Sequence, residues 1–587
     1  MSGHDGNTGS EEKPSSHRLE RIDCVDTVDD RAENDNDQGK VSFKLVMHAL
    51  AVVSGFFASN VNLVGSGVLS HSVAAVLHGE DKVAWITGVL TFHPVILGPV
   101  VCKAADFWGR KWLMVVTLLM GTVGCIITSR ATSMGMAIAG QAITGFSGIN
   151  QALSQAVTAE VLPRKYRPWA QVLVNTPGAA AALIGTYLAG AMTRGGPSGF
   201  RSYWYLCAAL FFLAACNITY FYRPPTREQQ RLNFGAKIHA LDLPGCLLLA
   251  VAMLGLTLAL NWSSNPYSWN DVHVLAALII GGCAAIVLVA YAVYYRHDGM
   301  FHHDLFRNRN YCISLIVLCG EGVAFISAVN YLPLELTAMY GDGPWEVANT
   351  FAIVWLTWLV ATPLVGWCIA LTRKGRLFVI LALCSFVLYF ALMASTNPST
   401  RDNIWGYNVF LGLGQAGGVL ALTTIAQLSI PPELIASATG LIVASRTFGA
   451  CIGLVVFNAI LNSLLASRLA PDVGNAAVSA GLPASSLPEF LFAFLGGSDN
   501  ALNSAPGVSD RVVQAATIVM RHVYTIGFRN GYISAAAIIA ASLIVAFFMR
   551  DPSEQYTNRV DAPLLDTANV EAKDGIRVAA NDAADVA

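Results

Sequence analysis

Glu321 and Arg446 are ionisable residues set inside long apolar stretches, roughly 311–334 and 437–463, where hydrocarbon would surround them. A charge at such a depth costs free energy unless it finds a partner or water, so these two residues are candidates for function rather than filling. A carboxyl that exchanges a proton inside a bilayer is what proton coupling requires, and Arg446 is its candidate partner. The competing reading is that the two only neutralise one another, or meet backbone and water. A second charged group lies at 98–111, where Gly98-Pro99-Val100-Val101-Cys102-Lys103-Ala104-Ala105-Asp106-Phe107-Trp108-Gly109-Arg110-Lys111 separates the apolar runs Val83–Cys102 and Trp112–Thr128. A short charged turn cannot lie in hydrocarbon, so it belongs at a membrane face, and its basic residues mark that face as cytoplasmic.

Uncharged polar residues inside the apolar runs form the third set. Ser59, Asn62, Ser66 and Ser70 share a helical face in the first run, with Asn60 alongside; Gln141, Gly145, Gly148, Ala152 and Gln155 form a stripe in the fourth, with Asn150 and Gln151 next to it. Asn60, Asn62, Gln141, Gln151 and Gln155, with Tyr331 and Gln415 further on, are expected to line a substrate cavity. Helix-to-helix glue is the alternative.

These residues need helices that cross a bilayer. The 587 residues are 54% hydrophobic and 13% charged, with a mean hydropathy of +0.52, which describes a polytopic membrane protein. A net charge of -2 leaves no basic stripe for nucleic acid. Twelve cysteines without a Cys-x-x-Cys pair read as small hydrophobes, so neither a disulfide framework nor a metal site is expected. No Walker A sequence is present, which removes a nucleotide-driven pump. Gly412-Leu413-Gly414-Gln415-Ala416-Gly417 fits a dinucleotide pattern but follows no strand, and His302-His303-Asp304 has no second ligand cluster. No enzyme site and no cofactor are expected.

Windows of about twenty apolar residues give about fourteen crossings. They are 45–68, 83–103, 112–129, 134–157, 169–192, 203–222, 243–262, 272–295, 311–334, 346–371, 376–395, 405–429, 437–463 and 529–549. About sixteen basic residues fall in loops on one face, among them Lys103, Arg110, Arg164, Arg167, Arg227 and Arg373, against about five on the other, so both tails are expected in the cytoplasm. The expected division is a disordered tail (1–42), a first helix bundle (43–223), a linker with two linking helices (224–300), a second bundle (301–550) containing a long extracellular loop (464–528), and a polar tail (551–587). Within that loop Leu487–Leu495 is too short to span and is expected at the membrane surface. No cleavable signal peptide is expected at Met-Ser-Gly-His-Asp-Gly, and the sequon Asn261-Trp262-Ser263 abuts a helix end.

The stretch from Gly98 to Lys111 closely resembles the loop between the second and third helices of the major facilitator superfamily, and Glu160-Val161-Leu162-Pro163-Arg164-Lys165-Tyr166-Arg167 resembles that superfamily's Glu-x-x-Pro-x-x-x-Arg element. The resemblance implies a conformational latch drawn from Gly98, Asp106, Gly109, Arg110, Lys111, Glu160 and Arg167, with Glu160 pairing with Arg110 or Arg167. The Asp106 pair is expected near the surface, contributing about 1 kcal/mol to stability. Pro177-Gly178-Ala179-Ala180-Ala181-Ala182-Leu183-Ile184-Gly185-Thr186-Tyr187-Leu188-Ala189-Gly190 is similar, in degenerate form, to the signature of drug:proton antiporters, which implies a flexible helix at Gly185, Ala189 and Gly190. Leu241-Asp242-Leu243-Pro244-Gly245 and Leu305-Phe306-Arg307-Asn308-Arg309-Asn310 resemble the fourteen-helix drug:proton antiporters, and Pro431-Pro432-Glu433, Ala480-Gly481-Leu482-Pro483 and Phe528-Arg529-Asn530-Gly531-Tyr532 look most like the fungal trichothecene efflux pump family. The chain departs from the antiporters in carrying Asn60 where they carry an aspartate and Gln141 where they carry an arginine, which moves the expected proton coupling to Glu321 and Arg446.

The fold expected from these residues and this resemblance is all-α: two six-helix bundles plus two linking helices, moving by alternating access. The expected function is proton-coupled export of a fungal toxin, metabolite or drug-like amphipath through the plasma membrane, with protons, lipid and a small-molecule substrate as partners. A siderophore importer of the same superfamily is the alternative, and a non-transporting receptor is the third reading. The sidedness is testable: a cysteine introduced beside Asp510 should react with an impermeant maleimide on intact cells. Labelling only after permeabilisation would reverse the map.

Overall fold

The computed structural model describes residues 43–79, 82–193, 196–224, 230, 233–262, 267, 269–295, 302–495 and 507–558. The expected tail 1–42, positions 559–587 of the expected tail 551–587, and Ser263 of the sequon lie outside them. Contacts divide the chain at Val46, and the membrane-spanning unit is Met47–Ala587. The first half comprises α1 (Phe43–Leu77), α2 (Val83–Ile96), α3 (Gly98–Trp108), α4 (Arg110–Ser129), α5 (Met134–Gly145), α6 (Asn150–Val161), α7 (Arg167–Thr193) and α8 (Phe200–Phe221). Then come α9 (Phe234–Leu241), α10 (Leu243–Trp262), α11 (Val272–Ala290) and the short α12 (His303–Arg307). The second half comprises α13 (Arg309–Glu335), α14 (Pro344–Thr372), α15 (Gly375–Ala394), α16 (Asn403–Leu428), α17 (Ile435–Ser479), α18 (Leu487–Leu495) and α19 (Asp510–Ala546). No strand occurs among the described residues.

Twelve helices are long and apolar enough to cross a membrane, and a thirteenth span is the bent pair α2–α3. The expected count of fourteen is therefore not reached on length and composition. The missing one is 134–157, where a 3-10 turn at Phe146–Ile149 separates α5 and α6, each 12 residues long. The bend of 51° between α2 and α3 has a chemical cause. Pro94 lies inside α2 and Pro99 opens α3, and each removes a backbone donor and crowds the preceding turn. The two irregularities fit together: a Cβ on Gly145 would lie 2.3 Å from His93 Nδ1, and one on Gly148 would lie 3.0 Å from Pro94 Cγ.

The long outer loop expected at 464–528 is largely helix, which corrects the sequence reading. α17 runs 45 residues to Ser479, and α19 begins at Asp510 and runs 37. Hydropathy falls there, but helix formation depends on the backbone and on packing rather than on crossing a membrane. Val473, Ala477, Leu482, Phe490, Val512 and Ala516 form a separate small core that joins the two extensions to α18.

One hydrophobic core occupies the first half, around Leu118, Trp204 and Phe211, and another the second, around Leu318, Phe386 and Phe390. α10 and α11 pack on one another through Gly255 and Gly281, where an added Cβ would meet backbone at 2.7 and 2.6 Å. The halves meet along two seams. α17 rests on α3, with Gly440 against Pro99 and Cys102; α7 rests on α14, with Gly366 over Val172 and Tyr187 donating to Asn349 Oδ1 at 3.2 Å.

The closest helix approach bearing on Glu321 and Arg446 is that of α13 to α17. A Cβ on Gly322 would lie 2.0 Å from Arg446 O, one on Gly449 1.9 Å from Cys319 O, and one on Gly453 2.7 Å from Val323 O. Small residues on both helices let the backbones touch, the usual means of helix association in lipid. Gly449→Ala must push the helices apart and should destabilise the purified protein by about 1–3 kcal/mol, read as a lower melting temperature in detergent. Gly282→Ala, at a position with nothing within 4 Å of the new methyl, should not lower it.

Candidate functional site

Arg446 reaches across the α13–α17 seam to Glu321: Nε donates to Oε2 at 2.6 Å and Nη2 to Oε1 at 3.2 Å. Its Nη2 also donates to Gln415 Oε1 on α16 at 3.2 Å. Glu321 has no exposed surface and Gln415 has 2%, whereas the Arg446 side chain keeps 15%. The sequence thus marked three residues that the fold brings into one cluster, from helices as much as 125 positions apart. A fork-to-fork guanidinium–carboxylate pair satisfies both ions inside hydrocarbon, and Gln415 takes a further donor.

The surroundings of this cluster are aromatic. Arg446 stands over the ring of Phe325 at 5.6 Å, and Phe325 packs edge-on against Trp355 at 6.0 Å and Trp358 at 6.1 Å. Both indole Nε1–H groups are buried without a hydrogen-bond partner among the described residues. Tyr331, expected to line a cavity, donates to Leu454 O at 2.9 Å and stacks on Phe457 at 4.0 Å. The sequence reading missed the two tryptophans because, on an apolar helix, an unpaired indole looks like any other core ring.

The second site is at the end of the molecule that carries Arg110. Arg110 donates from Nη2 to Glu160 Oε1 at 2.7 Å and to Asp106 Oδ1 at 3.0 Å, and from Nη1 to Glu160 Oε2. All three residues are at least 95% buried, which corrects the expectation of a surface-proximal pair. Gly109 joins α3 to α4 at φ +92°, in the left-handed region that other residues rarely adopt. Gly98 is under no such demand, since an added Cβ would meet Gly440 O only at 3.8 Å. Lys111 is half-buried over the Trp112 ring at 5.8 Å and makes no ion pair among the described residues, so it stands outside the expected latch.

Arg167 points to the other half, where its Nη1 donates to Gln427 O. Gln427, at the end of α16, is a junction the sequence reading did not find. Its Oε1 accepts from Gln171 Nε2 at 3.0 Å, and its Nε2 donates to Thr439 Oγ1 at 3.0 Å and to Gln155 O at 3.4 Å. Gln155 is therefore in contact with a seam between halves, through its backbone.

Two expected cavity residues are placed elsewhere. Asn62 donates to Gln141 Oε1 at 3.4 Å and accepts from Trp204 Nε1 at 3.1 Å, while Gln141 donates to Thr128 Oγ1 at 3.4 Å. Both are buried inside the first half in a network that uses their amides, so they hold α1, α4, α5 and α8 together instead of facing a substrate. Asn60 bonds back to Phe56 O at 3.0 Å, and Gln151 is half-buried on α6. α7 is unbroken across Gly185, Ala189 and Gly190; Gly185 admits the backbone of α1, its absent Cβ being 3.1 Å from Val61 O.

Removing Arg110 would leave two buried carboxylates without their shared guanidinium. Arg110→Met is expected to destabilise the protein by about 3–5 kcal/mol, and adding Glu160→Gln should recover part of the loss in a detergent melt. An unchanged melting temperature for Arg110→Met would remove the network from any account of stability.

Comparison with known proteins comes to the same architecture. The family model for the Major Facilitator Superfamily matches residues 49–454. The trichothecene efflux pump TRI12 of Fusarium sporotrichioides is 21% identical over 547 residues, covering 88% of this chain and 89% of its own. The efflux pump apf11 of Gibberella fujikuroi is 22% identical over 408 residues, covering 66% of this chain and 72% of its own. Among solved structures, the human organic anion transporter MFSD10 aligns with a TM-score of 0.50 at 13% identity, over 83% of this chain and 99% of its own. The proton:xylose symporter XylE also gives 0.50, at 12% identity over 85% and 95%. With the family model spanning most of its length and an all-helical, many-span fold beneath it, the chain belongs to the Major Facilitator Superfamily as a membrane transporter.

Proposed function

We propose that this transporter exports a small amphipathic fungal product through the plasma membrane, driven by inward proton movement through Glu321 and Arg446. The observation that carries the reading is the Glu321–Arg446–Gln415 cluster, an ion pair whose carboxylate side is fully buried while the Arg446 side chain keeps 15% of its surface exposed. A proton arriving at Glu321 removes one charge of the pair and frees Arg446 to change partners, which biases the way the cavity faces. Antiport follows when the substrate is bound only while Glu321 is ionised, so that proton and substrate occupy the transporter in turn.

The aromatic side of the cluster indicates the class of cargo. Two buried indole donors beside Phe325 favour a molecule that is largely apolar yet carries acceptor oxygens, such as a lactone, ester or ketone. Relatives named as efflux pumps support the outward direction. The closed seam at Arg167, Gln171 and Gln427 is read as the cytoplasmic gate, with Arg110, Asp106 and Glu160 bracing it, and both termini on that side.

The test uses inside-out vesicles and a fluorescent coumarin lactone as probe. Wild-type protein should accumulate the probe when the lumen is acidified; Glu321→Gln should abolish accumulation against a gradient and keep downhill exchange. Unchanged, pH-dependent accumulation by Glu321→Gln would place coupling elsewhere, and probe leaving the vesicles against its gradient would point to import.

A further inference from the structure

A second buried acid lies away from the ion pair, near the end of the molecule that carries Arg401. Glu335 is the last residue of α13 and has no exposed surface. No cation pairs with it among the described residues. What faces it is a set of hydroxyls. Tyr532 of α19 donates to Oε2, and Thr396, just past the end of α15, lies 3.0 Å from Oε1. Tyr389 of α15 and Tyr340 beyond α13 are the other titratable groups beside it. The Tyr389 hydroxyl is buried and has no hydrogen-bond partner among the described residues. The ion pair of Arg401 with Asp342 is engaged with itself and with Thr350.

Counting hydrogens leaves a closed arrangement for each protonation state. Thr396 has one hydroxyl hydrogen and two acceptors in reach: Met393 O at 2.7 Å and Glu335 Oε1 at 3.0 Å. When the hydrogen goes to Met393 O, the Thr396 oxygen must accept from Oε1, which requires a proton on the carboxyl. The other arrangement also closes. Once that proton leaves, the Thr396 hydrogen turns to Oε1 and the carboxylate holds two donors, Thr396 and Tyr532. Thr396 is followed at once by the exposed loop residues Asn397, Pro398 and Ser399, so the proton has one buried side chain between it and water.

We propose that Glu335 is a proton-binding site, a neutral carboxylic acid that donates to Thr396 and exchanges its proton with water through the 395–402 loop. Removing the proton leaves an uncompensated anion between α13, α15 and α19, which favours separation of α13 from the other two. The site stands on the full burial of Glu335, on the absence of a paired cation among the described residues and on hydroxyls that close with and without the proton; only its use as a loading station for coupling rests on the export reading above.

Infrared spectroscopy on the full-length purified protein tests it without any transported substrate. A protonated carboxyl in this site gives a C=O stretching band separate from the amide bands; it should be lost in Glu335→Gln, persist in Glu321→Gln and shift on transfer to deuterated buffer. Because Tyr532 donates to the carbonyl oxygen, Tyr532→Phe, which keeps the acid, should move the band to higher frequency, and this second variant serves if Glu335→Gln does not fold. A band that survives Glu335→Gln, or fails to move both in Tyr532→Phe and in deuterated buffer, would overturn the site. Retention of the band together with pH-independent transport would sink only the coupling reading.

Discussion

A charge can stay inside a bilayer-spanning bundle only if another group in the protein answers it, and most of this structure depends on that constraint. Arg446 would not be tolerated on α17 without Glu321, and Glu321 is within reach only because Gly322, Gly449 and Gly453 let two helix backbones touch. The helix contact and the ion pair therefore require one another. At the Arg110 end the same rule gives a different answer: one guanidinium serves two carboxylates, one on α3 and one on α6, so the pairing also fixes how α3, α4 and α6 meet.

The two seams between halves are built from other groups. α3 and α17 touch through Gly440, Pro99 and Cys102, and the polar closure at Gln427 consists of amide and backbone bonds with one arginine donor. Bonds of this kind contribute about 0.5–1.5 kcal/mol each, somewhat more where a guanidinium donates, and are replaced by water when broken. The strong pairs at Arg110 and Arg446 thus lie within halves and the weaker bonds at Gln427 between them, which lets the halves move as units while their interiors persist.

Much of this was legible because hydropathy and charge spacing are local. Apolar windows located nearly every helix, and Asp106, Arg110, Glu321 and Arg446 stood out because ions are rare near such windows, whereas Glu160 was marked by its resemblance to a superfamily element. What was missed depended on distance in sequence. Glu335 fell one residue past the window ending at 334, and its partners Thr396 and Tyr532 are 61 and 197 positions away. Gln427 closed an apolar helix without any mark of its four-way bonding. Asn62 and Gln141 were seen, but their type does not say whether an amide faces a cavity or another helix; Trp204, 142 positions from Asn62, decided that. The segment 464–528 was read as loop because a helix that falls below the apolar window leaves no hydropathy signal.

That segment changes what a movement of α17 does. At a rise of about 1.5 Å per residue, its 45 residues make a rod of about 68 Å, more than twice the thickness of the hydrocarbon. Arg446 and the contact with α3 occupy the first third of the rod, and the small core with α18 and the start of α19 sits at its far end. A tilt too small to notice beside Glu321 becomes a larger sweep at the tip, as in a lever with a short inner arm and a long outer one. The cap is then a mechanical load that any tilt of α17 must carry, and a molecule that grips it would restrain the transporter without touching Glu321.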